Sequence, residues 1–164
     1  MHPATLPPLD LAKQCQVIRT RRTGPGGQHR NKTETAVVLV HQPTGISAEA
    51  AERRSQAENR GVALKRLRLK LALEHRAPAA AAASATWQRR VRGRQLVVSA
   101  GHDDYPALVA EALDRLQGTR WQMAPAAEAL GVSPSQLMGL FRKVPSAWVA
   151  VNGFRTAAGL PALR

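Results

Sequence analysis

The feature that most constrains this chain is the run Gly24-Pro25-Gly26-Gly27-Gln28, which is followed directly by basic residues. Glycine allows a backbone to adopt positive φ or to come very close to another molecule. The pair Gly26-Gly27 therefore predicts a loop that can approach a partner closely. Gln28, an uncharged polar side chain, is expected at the tip of that loop.

The surroundings of this loop, and the chain as a whole, are strongly basic. The 164 residues include 24 Lys and Arg against 11 Asp and Glu, a formal net charge of +13. Such a balance predicts a polyanionic partner, with nucleic acid as the first choice. A membrane surface is the alternative. However, the sequence has no basic amphipathic helix with a large aromatic face, and no apolar run long enough to span a bilayer.

Cysteine and histidine usage limits the remaining classes of function. The single cysteine, Cys15, cannot form an internal disulfide or supply a metal cluster, and we expect it to be a small buried apolar residue. His41, His75 and His102 are too scattered to predict a metal site. Residues 1–10 lack the charged head and apolar centre of a signal peptide. We therefore expect a cytoplasmic protein without a metal.

The N-terminal half predicts strands with one helix packed across them. The β-branched and apolar run Ala36–Gln42 predicts a buried strand, Pro43-Thr44-Gly45 a turn, and Ile46–Ala50 a returning strand. Cys15, Val17 and Ile18 suggest a short strand before the glycine loop. Residues 57–76 have an apolar side and a basic side, which predicts a helix.

The flanking segments give weaker patterns. Residues 1–9 are Pro-rich and are expected to be loose. Residues 77–86 are Ala-rich and indicate a connector, because Pro78 argues against continuation of the preceding helix. The basic cluster Arg89, Arg90, Arg92 and Arg94 follows, and then the strand-like run Gln95–Ser99.

The C-terminal third predicts helices. Residues 126–143 are similar to a helix-turn-helix, and a last helix is expected over 145–158. Our interpretation is a compact helical unit held by its own core. DNA binding is the alternative, although its base-reading positions would carry no charge: Ser135, Gln136, Met138 and Gly139.

The glycine loop resembles the GGQ loop of class I peptide chain release factors, which hydrolyse peptidyl-tRNA on the ribosome. Residues 23–35 read TGPGGQHRNKTET, residues 36–46 AVVLVHQPTGI and residues 52–60 ERRSQAENR, in the order and spacing of that catalytic domain. The likeness covers roughly residues 15–76. It implies an α+β catalytic domain at 10–76. The composition and patterns described above predict a linker at 77–100 and a helix-turn-helix-like unit at 101–164.

The resemblance also implies the chemistry. Gly26, Gly27 and Gln28 are expected to be catalytic. The Gln28 amide does not ionise near neutrality, so it would position water, while its backbone N–H stabilises the developing oxyanion. The tRNA's terminal ribose and the ribosome would supply the rest, and we expect no protein nucleophile, metal or cofactor. For His29, RNA contact or a structural hydrogen bond is favoured over the alternative of a general base.

The implied partners are large-subunit ribosomal RNA and P-site peptidyl-tRNA, bound by a monomer. A partner protein is an alternative. Basic and polar side chains near the two motifs are expected to contact RNA. They are Arg21, Arg22, His29, Arg30, Asn31, Lys32, Arg53, Arg54, Ser55, Gln56, Asn59 and Arg60. Ser55 can equally cap the helix that follows it.

Full release factors carry further domains that read the stop codon, and we expect 164 residues to leave no room for them. The chain therefore resembles small, codon-independent hydrolases that rescue stalled ribosomes. Those typically end in a Lys/Arg-rich tail, whereas here we expect the helical unit to dock on the ribosome or on a partner. Two alternatives stay open: a non-catalytic nucleic-acid-binding protein that uses the helix-turn-helix, and a release factor that requires a codon-reading partner.

Overall fold

A computed structural model describes residues 1–20 and 35–164 of the chain. Three strands form an antiparallel sheet in the order β1-β2-β3: β1 (Cys15–Thr20), β2 (Ala36–His41) and β3 (Ser47–Ala50). All three strands match the sequence prediction to within a residue or two. In the turn between β2 and β3, Gly45 has a φ of 72°, a left-handed conformation that favours glycine.

One face of the sheet is covered by the long helix α2 (Gln56–Glu74). Val37 and Leu39 of β2 are buried, as are Leu67 and Leu71 of the helix. The side chains follow the periods of the two elements, every second residue on the strand and every third or fourth on the helix. The predicted α+β class is therefore confirmed, and α2 is the helix on which the sheet of this half packs.

The N-terminal segment differs from expectation. Residues 1–9 were expected to be loose, but Pro3–Thr5 forms a 3-10 turn and α1 (Pro8–Lys13) follows directly. His2 and Ala4 are buried. The His2 imidazole caps the turn by accepting a hydrogen bond from the Ala4 N–H at 3.1 Å, and its other nitrogen lies 3.0 Å from the His75 carbonyl oxygen. The Pro-rich composition predicts a loose tail, because the residue that His2 contacts lies more than seventy positions further along the chain and leaves no local signal.

The stretch 77–100 also contains regular structure. After α2 ends, α3 (Ala85–Arg90) leads into a hairpin of β4 (Val91–Arg92) and β5 (Gln95–Leu96). Ser84 caps α3, and Trp87 is fully buried. The expected strand Gln95–Ser99 is therefore shorter than predicted.

Four helices complete the chain: α4 (Tyr105–Gly118), α5 (Met123–Ala129), α6 (Pro134–Arg142) and α7 (Pro145–Ala157). Ser133 caps α6 by accepting from the Gln136 N–H, and Gly131 turns the chain with a φ of 68°. The helices α5 and α6 with their short connection match the expected helix-turn-helix-like arrangement.

The two halves share one continuous core. Helix α4 packs on α2, and their buried side chains belong to the same cluster, which runs from Ala4 to Val151. Polar contacts reinforce this: Arg68 of α2 donates to the Asp103 carbonyl at 2.8 Å, and Arg76 pairs with Asp114 at 3.0 Å. The predicted division at 10–76, 77–100 and 101–164 stays a prediction, but its parts are packed together rather than strung apart.

Candidate functional site

The segment that carries the glycine loop is closed by the sheet at both of its ends. Thr20, at the end of β1, is paired with Ala36, at the start of β2. The chain therefore leaves the sheet and returns to it at neighbouring positions. The expected catalytic and RNA-contacting residues between them lie outside the described residues: Arg21, Arg22, Gly26, Gly27, Gln28, His29, Arg30, Asn31 and Lys32.

Asn59 ties the returning end of this segment to helix α2. Its amide nitrogen donates to the Thr35 carbonyl at 2.7 Å and to the Arg53 carbonyl at 3.0 Å. Its amide oxygen accepts from the Arg53 N–H at 2.9 Å. The sequence predicts RNA contact for Asn59, but the residue is fully buried. The side chain is instead a clamp between two backbone segments.

The neighbours of Asn59 are placed differently. Arg53, Arg54 and Arg60 are exposed, so their guanidinium groups are accessible at the same end of α2. Ser55 caps α2, accepting from the Glu58 N–H at 3.4 Å, which is the alternative that the sequence left open. Gln56 is half-buried at the first position of the helix. Three exposed arginines thus lie near Asn59, which holds the chain at Thr35, where the segment with the GGQ sequence returns to the sheet.

Several other basic side chains of α2 bind the protein itself. Arg66 pairs with Glu52 at 2.6 Å and donates to the Glu49 carbonyl, while Lys70 donates to the Ser47 carbonyl at 2.9 Å. These contacts fasten α2 to the strand β3. The sequence could not separate such anchoring cations from RNA-facing ones, because both alternate with apolar residues on a helix.

Arg68 and Arg76 are buried more deeply. Burial lowers the pKa of both guanidinium groups, and the carboxylates of Asp103 and Asp104 near Arg68, and of Asp114 near Arg76, oppose that shift. Burial also raises the pKa of the Asp114 carboxyl, although the Ala77 N–H and Arg76 favour its charged form. The largely buried ion pair between Arg76 and Asp114 joins the residues just after α2 to α4, so it fixes these two parts of the chain rather than serving the glycine loop.

His41 and Cys15 lie near the base of the sheet. The His41 ring is buried, with its nitrogens 2.8 Å from the Thr44 hydroxyl and 3.0 Å from the Gln14 amide oxygen. Burial lowers the pKa of His41 and raises that of the Cys15 thiol. Cys15 is half-buried, less than the sequence predicts. Among residues 1–20 and 35–164, no group of three or more potential ligands is arranged to hold a metal.

The alternative of base reading by the helix-turn-helix-like unit meets an obstacle at Gln136. Its amide oxygen accepts a hydrogen bond from the Leu96 N–H at 3.1 Å, so the side chain joins α6 to the β4–β5 hairpin. Ser135 is exposed, while Met138 and Gly139 are half-buried.

Of the helices in the described part of the chain, none is both long and apolar enough to cross a membrane.

Comparison with known proteins agrees with this geometry. Residues 11–101, more than half of the chain, match the model of the RF-1 domain. The peptide chain release factor 1 of Acidiphilium cryptum is 49% identical over 71 residues, which are 43% of this chain and 20% of that protein. A mitochondrial peptide chain release factor 1-like protein of Mus musculus is 46% identical over 63 residues, 38% of this chain and 17% of that protein.

A strand-and-helix domain whose sequence carries a basic GGQ segment between two paired strands is typical of peptide chain release factors. The chain belongs to the RF-1 domain family. The matched stretch spans only about a fifth of the length of these curated relatives. Residues 102–164, with most of the helical half, lie beyond the match to the domain.

Proposed function

We propose that this chain hydrolyses the ester between a nascent peptide and tRNA on the ribosome. The observation that carries the proposal is the intact Gly26-Gly27-Gln28 sequence between two paired strand ends, with the Asn59 clamp at its exit. A loop that must enter a crowded RNA site needs a fixed base, because catalysis depends on the placement of the reacting groups. The RF-1 domain match supports the same reaction.

In the proposed mechanism, Gln28 acts without changing its charge. Its side chain orients a water molecule toward the ester carbonyl, and its backbone N–H donates to the oxygen that becomes negative in the tetrahedral intermediate. Gly26 and Gly27 let the backbone approach that carbonyl. Water attacks the carbonyl carbon, the bond between that carbon and the ribose oxygen of the tRNA breaks, and the ribose oxygen takes a proton and leaves as a hydroxyl group. The ribosome and the tRNA line the rest of the site.

The exposed cations at the base of the loop have a separate role in this proposal. Arg53, Arg54 and Arg60 contact phosphates of large-subunit ribosomal RNA, as do the basic residues of the loop. Asn59 is a positioning residue, since its amide is occupied by the backbone of Thr35 and Arg53. No step requires a metal or an organic cofactor.

The finer proposal is that release occurs without reading a codon, on stalled ribosomes of the cytoplasm and by a monomer. It is supported by the helices that follow the match: α4 to α7 form a layer whose members pack on one another, and α4 packs on α2. In this proposal that layer supports the catalytic domain and docks it on the ribosome. Codon reading by a partner protein is the competing version.

The test is release of labelled peptide from purified ribosomes that carry peptidyl-tRNA and an mRNA truncated at the P site. The wild type, Gln28→Ala and Gly27→Ala are compared, with Gln42→Ala as a control that removes an exposed amide elsewhere. We expect a loss of roughly a hundredfold or more in the two loop variants, the scale of losing one oxyanion donor, and none in the control.

Extending the mRNA beyond the P site addresses the finer proposal. Release that falls steeply as the mRNA fills the A site supports rescue. Release that requires a stop codon and an added protein supports the partner version. If the wild type releases no peptide from ribosomes that it occupies, hydrolysis by this chain alone is excluded.

A further inference from the structure

The β4–β5 hairpin carries a second concentration of positive charge, in a different part of the chain from the glycine loop. Four arginines fall within residues 89–94. One of them is neutralised by its own fold: Arg90 donates to Asp104 through Nε at 2.9 Å and through Nη2 at 2.7 Å, and Nη2 also lies 2.7 Å from Nε2 of His102. Arg90 therefore braces the hairpin from inside.

The other three arginines are exposed, and we call Arg89, Arg92 and Arg94 the hairpin arginines. Arg89 and Arg92 have no carboxylate within 4.0 Å in the part of the chain that is described. Their contacts are to neutral oxygens. Arg89 lies 3.3 Å from the Thr86 hydroxyl, and Arg92 lies 3.0 Å from the carbonyls of Arg89 and Val91. A guanidinium has five N–H donors, so most donors of both residues stay available.

Arg94 differs in having an acidic neighbour. Its Nη2 lies 3.2 Å from Glu128, with 62% and 76% of the two side chains exposed. An ion pair so open to water contributes little, so a phosphate can compete for this guanidinium. The hairpin arginines thus form a graded set, in which Arg89 and Arg92 have the least competition from the protein.

The support beneath these side chains is fixed by hydrogen bonds from three directions. The Val97 N–H donates to the Arg90 carbonyl at 2.8 Å, and the Ser133 N–H donates to the Arg94 carbonyl at 3.2 Å. Gln136 holds the Leu96 N–H, as described above. Gly93 makes the turn with a φ of 58°. Because these hydrogen bonds already hold the hairpin backbone in place, binding has to immobilise only the arginine side chains, and this lowers its entropic cost.

We propose that the hairpin arginines form a second RNA-binding surface that contacts backbone phosphates of ribosomal RNA. The choice of ribosomal RNA rests on the proposed function. Arginine suits this partner because its planar fork can donate two parallel hydrogen bonds to one phosphate. The Gln136 amide oxygen of α6 is occupied by the hairpin itself, so the proposed contacts are to the phosphate backbone. It would anchor the helical half while the glycine loop engages its substrate.

The test compares two full-length double variants that lose the same charge. One is Arg89→Gln with Arg92→Gln. The control is Lys13→Gln with Lys65→Gln, whose ammonium groups already lie 2.8 Å and 3.8 Å from Asp10 and Asp103. Dissociation constants for purified ribosomes are measured by sedimentation over a range of salt concentrations, and thermal unfolding checks that both variants are folded.

We expect the hairpin variant to bind about tenfold more weakly at ~0.1 M salt, and the slope of log K against log salt to become shallower by roughly 1.4 to 1.8, the value for two phosphate contacts. The control should lose less than about threefold. Arg94→Gln alone should have a smaller effect than either single substitution at Arg89 or Arg92. The charge-preserving double variant to lysine should recover much of the affinity.

Equal losses in the two double variants would overturn the proposal, since only net charge would then matter. Unchanged affinity of the hairpin variant, or a wild type that does not bind ribosomes, would overturn it as well. A hairpin variant that binds duplex DNA more weakly but ribosomes as tightly as the wild type would also overturn it. Peptide release by the wild type and by Gln28→Ala is measured in parallel, to separate this proposal from the proposed hydrolase activity. A wild type that binds ribosomes through the hairpin arginines but releases no peptide would support the RNA-binding surface and contradict the hydrolase.

Discussion

Strand β1 and helix α4 show how differently the two halves of this molecule are built. In β1, Val17 and Ile18 are 37% and 39% exposed, although each lies opposite an apolar residue of β2. In α4, nine of fourteen residues are buried, among them Leu108 and Leu113 at 0% exposure. The half that carries the GGQ sequence is a thin sheet with one covering helix, whereas most of the apolar burial lies in the helical half.

The residues beyond the RF-1 match therefore have a structural task. Helix α2 lies between the two halves: its N-terminal turns hold the exit of the glycine loop through Asn59, and its later turns pack on α4. The position of the loop's base therefore depends on the helical layer. The proposed catalytic sequence and most of the buried apolar side chains of the described residues thus lie in different parts of the chain, and both are connected to α2.

The largest effect is expected from deleting residues 101–164. This removes α4 from its contact with α2, and it takes away the Asp103 carbonyl that accepts from Arg68 and the Asp114 carboxylate that pairs with Arg76. Arg76 would then be left without its opposite charge beside a newly exposed apolar surface. We expect the remaining chain to lose cooperative thermal unfolding, followed by circular dichroism. A truncated chain that still unfolds in one sharp transition would show that the N-terminal half is stable alone.

A smaller, local effect is expected from Asn59→Ala. The substitution leaves the Arg53 N–H and two carbonyls without their partner in a buried place, at a cost of roughly 2–3 kcal/mol of unfolding free energy. Peptide release should fall as well, because the exit of the loop is no longer held. Urea unfolding and release at saturating protein measure the two effects. Full release by folded Asn59→Ala, with Gln42→Ala as the control, would mean that the clamp serves stability only.

The smallest predicted effect is a pH dependence at the N-terminus. Burial lowers the pKa of His2 to about 4 from its ordinary 6.5, and the charge of Arg76 adds to this shift. Between these values the unfolded chain binds a proton that the folded chain does not. The unfolding free energy therefore falls as the pH falls, by about 1 kcal/mol between pH 7 and 5.5.

His2→Asn tests that pH dependence, because asparagine can still cap the turn but does not titrate. The difference in unfolding free energy between pH 7 and 5.5 should shrink by about 1 kcal/mol in the variant. Identical pH profiles of the two proteins would show that the His2 ring is not buried in the way its contacts with Ala4 and His75 indicate.

Much of the fold could be predicted where the signal is local. The strand pair Ala36–Ala50 and the long helix follow from patterns of period 2 and 3.6, and Ser133 with Pro134 marked the start of α6. What failed depends on distant partners. Nothing local shows that His2 meets His75, or that the composition of residues 77–100 hides a fully buried Trp87 that donates to the Leu130 carbonyl.

The candidate site divides in the same way. The GGQ sequence and the run at 52–60 could be recognised from the sequence because their order and spacing are specific. The sequence could not tell that Asn59 faces inward while Arg53 and Arg60 face water, since all three are polar residues near a helix start. It also could not separate Arg90, paired with Asp104, from the exposed Arg92 two positions later.

The most direct test of this division is a crossed measurement of peptide release and thermal stability in Gln28→Ala and Leu113→Ala. Gln28→Ala should lose release and unfold like the wild type. Leu113→Ala, which leaves a cavity in α4, should lose about 2–5 kcal/mol of unfolding free energy and still release peptide while folded. If Gln28→Ala instead retains release, or Leu113→Ala abolishes it in folded protein, chemistry and core are not separated as we describe.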